Sequence, residues 1–103
     1  MPYAVDFAYL ESYTGGDPQI VAEVLALFQQ QAQGWLAGLE RPDAGWHDLN
    51  HMIKGSAKGI GAQGLGELAG QAELGDPSMG PQVRAALAEV LAEIEGYLSR
   101  RGG

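Results

Sequence analysis

The chain has 103 residues, of which 46% are hydrophobic, a proportion typical of one folded domain and too high for a disordered chain. Its formal net charge of −7 disfavours binding to nucleic acid or to an anionic membrane surface, and the absence of cysteine excludes disulfides and thiolate metal sites. The sequence has neither a secretory signal nor an apolar run of about 20 residues. We therefore expect residues 1–103 to form a single cytoplasmic domain.

A short helix is predicted first in the chain. Asp6 can serve as its N-cap, because a carboxylate accepts hydrogen bonds from free backbone amides. Phe7 and Leu10 lie on one face of this helix, with Tyr13 as a third candidate, and Gly15-Gly16 ends it.

The second predicted helix is long and begins at Asp17-Pro18, an N-cap acceptor followed by proline. Its apolar residues recur every three or four positions, which is typical of a half-buried helix: Val21, Val24, Leu25, Phe28, Ala32, Trp35, Leu36 and Leu39. Arg41-Pro42-Asp43 breaks the pattern.

Three more helices are predicted to follow. The third extends from about Ala44 to Gly61, and the fourth carries an apolar side made of Leu65, Leu68, Ala69 and Ala72. After the turn Gly75–Ser78, the last helix begins near Pro81 with a stripe of Val83, Leu87, Val90, Ile94 and Leu98. The predicted fold is all-α: an up-down antiparallel four-helix bundle with a short extra N-terminal helix, and a monomer because the helices can cover one another's apolar faces.

The third helix has two chemically different faces. With His51 at zero on a helical wheel of about 100° per residue, the apolar stripe lies roughly opposite, at about 160–200°. This stripe consists of Leu49, Ile53 and Ile60, with Trp46 and Ala57 beside it. His51 is therefore predicted to point to solvent. Trp35 and Trp46 are predicted to be packing residues, since both lie on apolar stripes.

The face that carries His51 is rich in cations and glycines. Lys54, Gly55 and Lys58 lie within about 60° of His51 and His47 within about 40°. A mid-helix glycine costs roughly 1 kcal/mol relative to alanine, so Gly55 indicates that another molecule approaches this backbone closely. Phosphoryl transfer needs an in-line nucleophile and positive charge around the moving group, which an imidazole and two lysines supply.

The segment from His51 to Gly61, HMIKGSAKGIG, resembles the signature of histidine-containing phosphotransfer (HPt) domains. That signature is a histidine, any residue, an aliphatic residue, Lys-Gly, two small residues, two variable ones, an aliphatic residue and glycine. Every specified position is filled, and the predicted helices resemble the family's bundle in number and order. Asn50 departs from the alanine that the family often has before the histidine; at about 260° it should lie on the flank, with little consequence.

The resemblance implies roles for the residues around His51. His51 would accept a phosphoryl group on a ring nitrogen, Lys54 would neutralise its charge with Lys58 as a secondary cation, and Gly55 would clear space for the partner. Met52, Gly59 and His47 would border the docking surface. The partners would be response-regulator receiver domains and a hybrid or cognate histidine kinase. No intrinsic cofactor or metal is implied, since the receiver would supply Mg²⁺.

Two other hypotheses come from different classes of protein. His47-Asp48-Leu49-Asn50-His51 resembles the H-E-x-x-H zinc motif with aspartate in place of glutamate, which would make a metal-dependent hydrolase. That motif needs a third ligand, and only a carboxylate could provide it. The other hypothesis is a helical docking module that binds a partner without chemistry.

Two remaining features of the sequence are read as structural. The spacing G-x-G-x-x-G at residues 59–64 follows a helix rather than a strand, so we expect a helix end with a turn and no ATP-binding or autokinase activity. The acidic residues of the later helices are predicted to form a solvated surface: Glu67, Glu73, Glu89, Glu93 and Glu95.

Overall fold

The computed structural model describes residues 3–41 and 45–102, with side chains up to residue 100. Five α-helices and one 3₁₀ turn follow in chain order: α1 Phe7–Tyr13, α2 Pro18–Glu40, α3 Trp46–Gly59, α4 Gln63–Leu74, the 3₁₀ turn Pro77–Met79, and α5 Gly80–Gly102. The described ranges contain no strand. The all-α prediction, a four-helix bundle with a short additional N-terminal helix, is confirmed.

The predicted helix starts depend on side-chain caps that are present in the structure. Asp6 Oδ1 accepts a hydrogen bond from the Tyr9 amide at 3.1 Å, and Asp17 Oδ1 accepts from the amides of Gln19 and Ile20 at 2.9 and 3.4 Å. α2 extends to Glu40, with Arg41 at its C-cap. Pro42, Asp43 and Ala44, which were predicted to break α2 and begin the third helix, lie outside the described residues.

Gly61 ends α3 and connects it to α1. Its φ of +88° is in the left-handed region, and the amides of Gly61 and Ala62 bond back to the carbonyls of Lys58 and Ala57, as in a Schellman motif. The Gly61 carbonyl also accepts a hydrogen bond from the Asp6 amide at 2.9 Å. A Cβ at Gly61 would approach the Asp6 carbonyl oxygen to 2.6 Å, so both the turn and the contact require glycine.

The core is lined by the apolar stripes of all five helices. The pairs α3–α4, α2–α5 and α4–α5 make the main contacts, and α2 also packs against α3. Trp35 and Trp46 are buried as predicted, whereas Tyr13 is 77% exposed and the prediction that it shares the buried face of α1 is wrong. On α1 the predicted core contacts come from Leu10, which is buried, and from the partly buried Phe7, whose ring stacks on that of Tyr97 with 4.1 Å between the centroids.

Within the described residues, none of the helices combines the length and hydropathy that crossing a lipid bilayer would require.

Candidate functional site: the solvent face of helix α3

The apolar face of α3 packs into the core, and this fixes the direction of His51. Ile53 and Ala57 are fully buried, while the His51 side chain on the other face is 64% exposed. A Cβ added at Gly55 or Gly59 would meet no heavy atom of the described part of the chain within 4 Å, so both glycines leave bare backbone open to solvent. Met52 is 55% exposed beside them. The predicted outward position of His51 is confirmed.

A carboxylate from the neighbouring helix lies under this face. Oε2 of Glu73, on α4, is 3.0 Å from Nδ1 of His51, and Oε1 of Glu73 forms a short ion pair with Nζ of Lys54. Only 8% of Glu73 is exposed. The prediction that Glu73 belongs to a solvated acidic surface is therefore wrong, because the α3–α4 packing turns this carboxylate inward onto two α3 side chains.

The charge state of Glu73 follows from these contacts. The hydrogen bond from Lys54 is the main cause that holds the pKa of Glu73 below its ordinary value of 4.5. Burial opposes this shift, and the hydrogen bond to His51 adds to it. Glu73 is thus an anion at neutral pH, and the site joins one buried negative charge to a lysine and an imidazole.

Close approach of α3 and α4 explains why Glu73 reaches this face. A Cβ at Gly70 would lie 3.2 Å from Cδ of Lys54, so this glycine makes room for the lysine stem. Two residues further along α4, the Ala72 carbonyl accepts a buried hydrogen bond of 2.8 Å from Trp46 Nε1, one residue before Glu73. The spacing Gly66–Gly70–Glu73 beside an apolar stripe was the available sequence signal, because small residues at helical spacing allow close helix packing.

His47 takes part in the same cluster more loosely. Its ring is nearly parallel to that of His51, with 6.2 Å between centroids, and its side chain is 63% exposed. Nε2 of His47 lies 3.6 Å from Oε2 of Glu73, beyond hydrogen-bond distance, and Nδ1 lies 3.4 Å from Asp48 Oδ1. The structure therefore brings His47 next to His51 without fixing it firmly.

Lys58 lies further along the same face and leans towards α4. Its Cγ would be 2.6 Å from a Cβ at Gly66, so Gly66 provides the clearance for this lysine as Gly70 does for Lys54. Seven helical residues correspond to about 10.5 Å along the axis, so Lys58 starts two turns from His51. Among the described residues Lys58 has no ion pair, and its role as a secondary cation stays a prediction.

Asn50 is the second residue whose surroundings the sequence did not reveal. It is fully buried, where the wheel predicted a flank position of little consequence. Its Nδ2 donates to the Trp46 carbonyl at 3.0 Å, but its Oδ1 has no hydrogen-bond partner among the residues that the structure describes. An unpaired buried acceptor costs about 1–3 kcal/mol, so Asn50 does affect the folded state.

The metal-hydrolase hypothesis can be compared with this geometry. Glu73 lies near both His47 and His51 and would be the third ligand that the motif needs, but Lys54 already pairs with its carboxylate. Among residues 3–41 and 45–100, no group of three His, Cys, Asp or Glu side chains is arranged to hold a metal ion. The ammonium of Lys54 would therefore compete with a metal ion for the carboxylate that this motif would use as its third ligand.

Comparison with known proteins places this arrangement in a family. A scan against protein-family models and a search of curated proteins both find no match. Among solved structures, the chain is similar to the crystal structure of the histidine phosphotransferase ShpA from Caulobacter crescentus, with 43% sequence identity and a TM-score of 0.84 over 95% of this chain and 93% of that one. The chain therefore belongs to the histidine-containing phosphotransfer family and functions as a histidine phosphotransfer protein of a phosphorelay.

Proposed function

We propose that His51 is the residue that carries the phosphoryl group, accepting it from the aspartate of one receiver domain and giving it to the aspartate of another. The observation that supports this most directly is the exposed imidazole of His51 beside the Lys54 ammonium, on a helix whose opposite face is buried. His47 is the only other histidine in the sequence, and its ring nitrogen lies 3.6 Å from Glu73, beyond hydrogen-bond distance.

The proposed chemistry needs little beyond what α3 provides. A neutral imidazole is a nucleophile near neutral pH, and a moving phosphoryl group is stabilised by cations aligned around it. Lys54 is held one turn from His51, and Lys58 adds a second positive charge to the same face. The Mg²⁺ ion required for transfer would come with the receiver domain, so this chain contributes the acceptor and positive charge.

The proposed docking surface for receivers extends from Met52, Gly55 and Gly59 into a groove between α2 and α3. This groove has a volume of about 210 Å³ and is lined by Val24, Leu27, Phe28, Gln31, Ser56, Gly59 and Ile60. Leu27 in this lining is 53% exposed and Met52 is 55% exposed, so both can offer apolar contact area to a receiver. A receiver that covers this groove would bring its aspartate over the backbone of Gly55 and close to His51.

The proposal is tested by a phosphoryl-transfer assay. A purified receiver domain is phosphorylated with labelled phosphate in the presence of Mg²⁺ and mixed with this protein. We expect the label to move to this protein in an acid-labile, alkali-stable form, unlike an acyl phosphate, and mass spectrometry to locate it on His51. Label on another residue, or no uptake from any receiver of the source organism, would refute the proposal.

Replacing Lys54 with alanine is expected to slow transfer while the helices remain folded. A hydrogen bond to a charged group contributes about 1.5–3 kcal/mol, so losing one at the transferring phosphoryl group should lower the rate roughly ten- to 100-fold. Rapid-quench measurement of label transfer, paired with circular dichroism, separates a slower reaction from loss of structure.

Lys58→Ala is the matched control for this variant, because it removes the same charge from the same face two turns from His51. We expect a smaller decrease in rate for Lys58→Ala. A Lys54→Ala protein that transfers at the original rate would remove this lysine from the mechanism.

A further inference from the structure

The aliphatic stems of the two α3 lysines lie against two glycines of α4. Lys58 passes Gly66, where an added Cβ would be 2.6 Å from Cγ and 3.3 Å from Cε of the lysine. Lys54 passes Gly70, where an added Cβ would be 3.2 Å from Cδ of that lysine. Since the glycines and the lysines are each four residues apart, Gly66 and Gly70 form one lysine channel along α4 that the two stems occupy.

The lysine channel leads towards His51. Side chains of an α-helix tilt towards its N-terminus, so the stems of Lys54 and Lys58 extend back along α3 in the direction of His51. The Lys54 stem passes Gly70 and ends in the ion pair with Glu73, the same carboxylate that contacts the His51 ring. The channel thus brings the Lys54 ammonium beside the reacting histidine.

The lysine stems, and not the backbone of α3, exclude a side chain from these two positions of α4. A Cβ at Gly66 would be 3.5 Å from the Lys54 carbonyl oxygen, which is an ordinary van der Waals contact. At Gly70, the described atoms that a Cβ would meet within 4 Å all belong to the Lys54 side chain. A glycine inside a helix is less stable than alanine, so both glycines reduce the stability of α4 and make room for a lysine in return.

A side chain at Gly66 would displace Lys58 as a whole. Carbon atoms in ordinary contact are about 3.5–4.0 Å apart, and the 2.6 Å contact is with Cγ, near the root of the lysine side chain. The stem would therefore have to leave α4 and extend into water, which screens its charge. At Gly70 the contact is milder and involves Cδ, so a residue larger than alanine is needed to exclude the Lys54 stem.

We propose that Gly66 and Gly70 are positioning residues for phosphotransfer: they leave α4 without side chains along the stems of Lys58 and Lys54, and so direct both ammonium groups towards the phosphoryl group on His51. This inference rests on the proposed function of His51. It adds two residues on a different helix, which act through the lysines.

The first arm of the test compares Gly66→Ala, Lys58→Ala and the variant that carries both changes. Gly66→Ala should accept label from a phosphorylated receiver about two- to fivefold more slowly, the range for losing one solvent-exposed cation. Lys58→Ala should be slowed by a similar factor, and the double variant by no more, because the glycine acts through the lysine. An unchanged rate in Gly66→Ala, or factors that multiply in the double variant, would overturn the role of Gly66.

Melting temperatures in the same variants distinguish lysine positioning from simple helix packing. In Lys58→Ala no Cγ remains to meet the new Cβ, so adding Gly66→Ala should raise the melting temperature by about 4–8 °C through its higher helix propensity. If Gly66 were needed for close approach of the two helix backbones, Gly66→Ala would lower the melting temperature with or without Lys58. That outcome would overturn the inference for Gly66.

Gly70→Leu tests the other half of the lysine channel. Leucine would fill the path of the Lys54 stem, so transfer should slow towards the roughly ten- to 100-fold decrease expected for Lys54→Ala. In the Lys54→Ala background, Gly70→Leu should have little further effect. Gly70→Ala serves if leucine prevents folding, as judged by circular dichroism, and should give a smaller decrease. An original transfer rate in the folded Gly70 variant would overturn the role of this glycine.

Gly34→Ala is the matched control for both glycine substitutions. Gly34 is exposed inside α2, and a Cβ there would meet no heavy atom of the described residues within 4 Å. The same gain in helix propensity should therefore leave the transfer rate unchanged. A decrease in Gly34→Ala as large as that in Gly66→Ala would show that the lysine channel is not the cause.

Phosphoramidate, a small phosphodonor that needs no docking surface, separates failure of this inference from failure of the proposed function. If phosphoramidate labels His51 with the same dependence on Gly66 and Lys58, but no receiver transfers label, the proposed function fails and the positioning role stands. If receivers phosphorylate His51 equally well in Gly66→Ala and Gly70→Leu, the positioning role fails and the proposed function stands.

Discussion

Replacing His51 with glutamine is expected to reduce label uptake from a phosphorylated receiver to background. Glutamine has no nucleophilic ring nitrogen, so no phosphorus–nitrogen bond to an imidazole can form at this position. The His51 side chain is 64% exposed, and the replacement therefore creates no cavity in the core. Far-UV circular dichroism and the melting temperature should remain close to those of the original protein, which assigns the lost transfer to chemistry.

His47→Gln provides a control that the chain itself supplies. His47 is the same type of residue on the same helix, one turn earlier, and its exposed fraction of 63% is nearly that of His51. We expect this variant to retain transfer, because the His47 ring that it removes has only a distant contact with Glu73. Label that persists in His51→Gln, or that disappears only in His47→Gln, would show that our proposal places the phosphoryl group on the wrong residue.

A second large effect is expected from Gly55→Gln, in which stability and function should change in opposite directions. Within residues 3–41 and 45–100, a Cβ at Gly55 meets no heavy atom within 4 Å, so the new side chain extends into solvent without a clash. Replacing a mid-helix glycine by a better helix former contributes up to about 1 kcal/mol to stability. The same side chain would occupy the space through which a receiver backbone approaches His51, and we expect receiver binding measured by calorimetry to weaken by at least about tenfold, equivalent to 1.4 kcal/mol.

Gly96→Gln is the matched control for the glycine substitution. Gly96 also lies inside a helix, and a Cβ there would meet only the flexible end of Arg100 at 3.4 Å. It is on α5, which contributes none of the residues around His51, so receiver binding should not change. Receiver affinity that is unaffected by Gly55→Gln would show that the bare backbone at residue 55 has no steric role in docking.

The predictions that agree with the structure rest on interactions within one helix or one turn. The caps at Asp6 and Asp17 act on amides two or three residues away, and the Gly61 turn closes on carbonyls three to five residues earlier. The direction of His51 depends on the same local geometry, because a helix that buries Ile53 and Ala57 must turn residue 51 to solvent. The signature that indicates the family also lies entirely within α3 and its C-terminal turn.

Two of the wrong predictions, for Glu73 and Asn50, concern how α3 and α4 pack in the bundle. Glu73 is acidic and lies on an amphipathic helix, so its residue type indicated solvent, and only the α3–α4 packing turns it onto His51 and Lys54. Asn50 is buried because the core extends around α3 beyond the apolar stripe that the wheel defines. Neither the width of a buried face nor the register of two helices is encoded in helical periodicity alone.

The amino-acid sequence thus determined the helices, their order, and the exposed histidine with its lysines and glycines, since all of these follow from residues close together in the chain. The tertiary structure alone decided what lies beneath that histidine. Glu73 is 22 residues away from His51 along the chain. Its carboxylate reaches the ring because Gly66 and Gly70 leave room for the lysine side chains of α3. The buried hydrogen bond from Trp46 to the Ala72 carbonyl also holds the end of α4 against the start of α3.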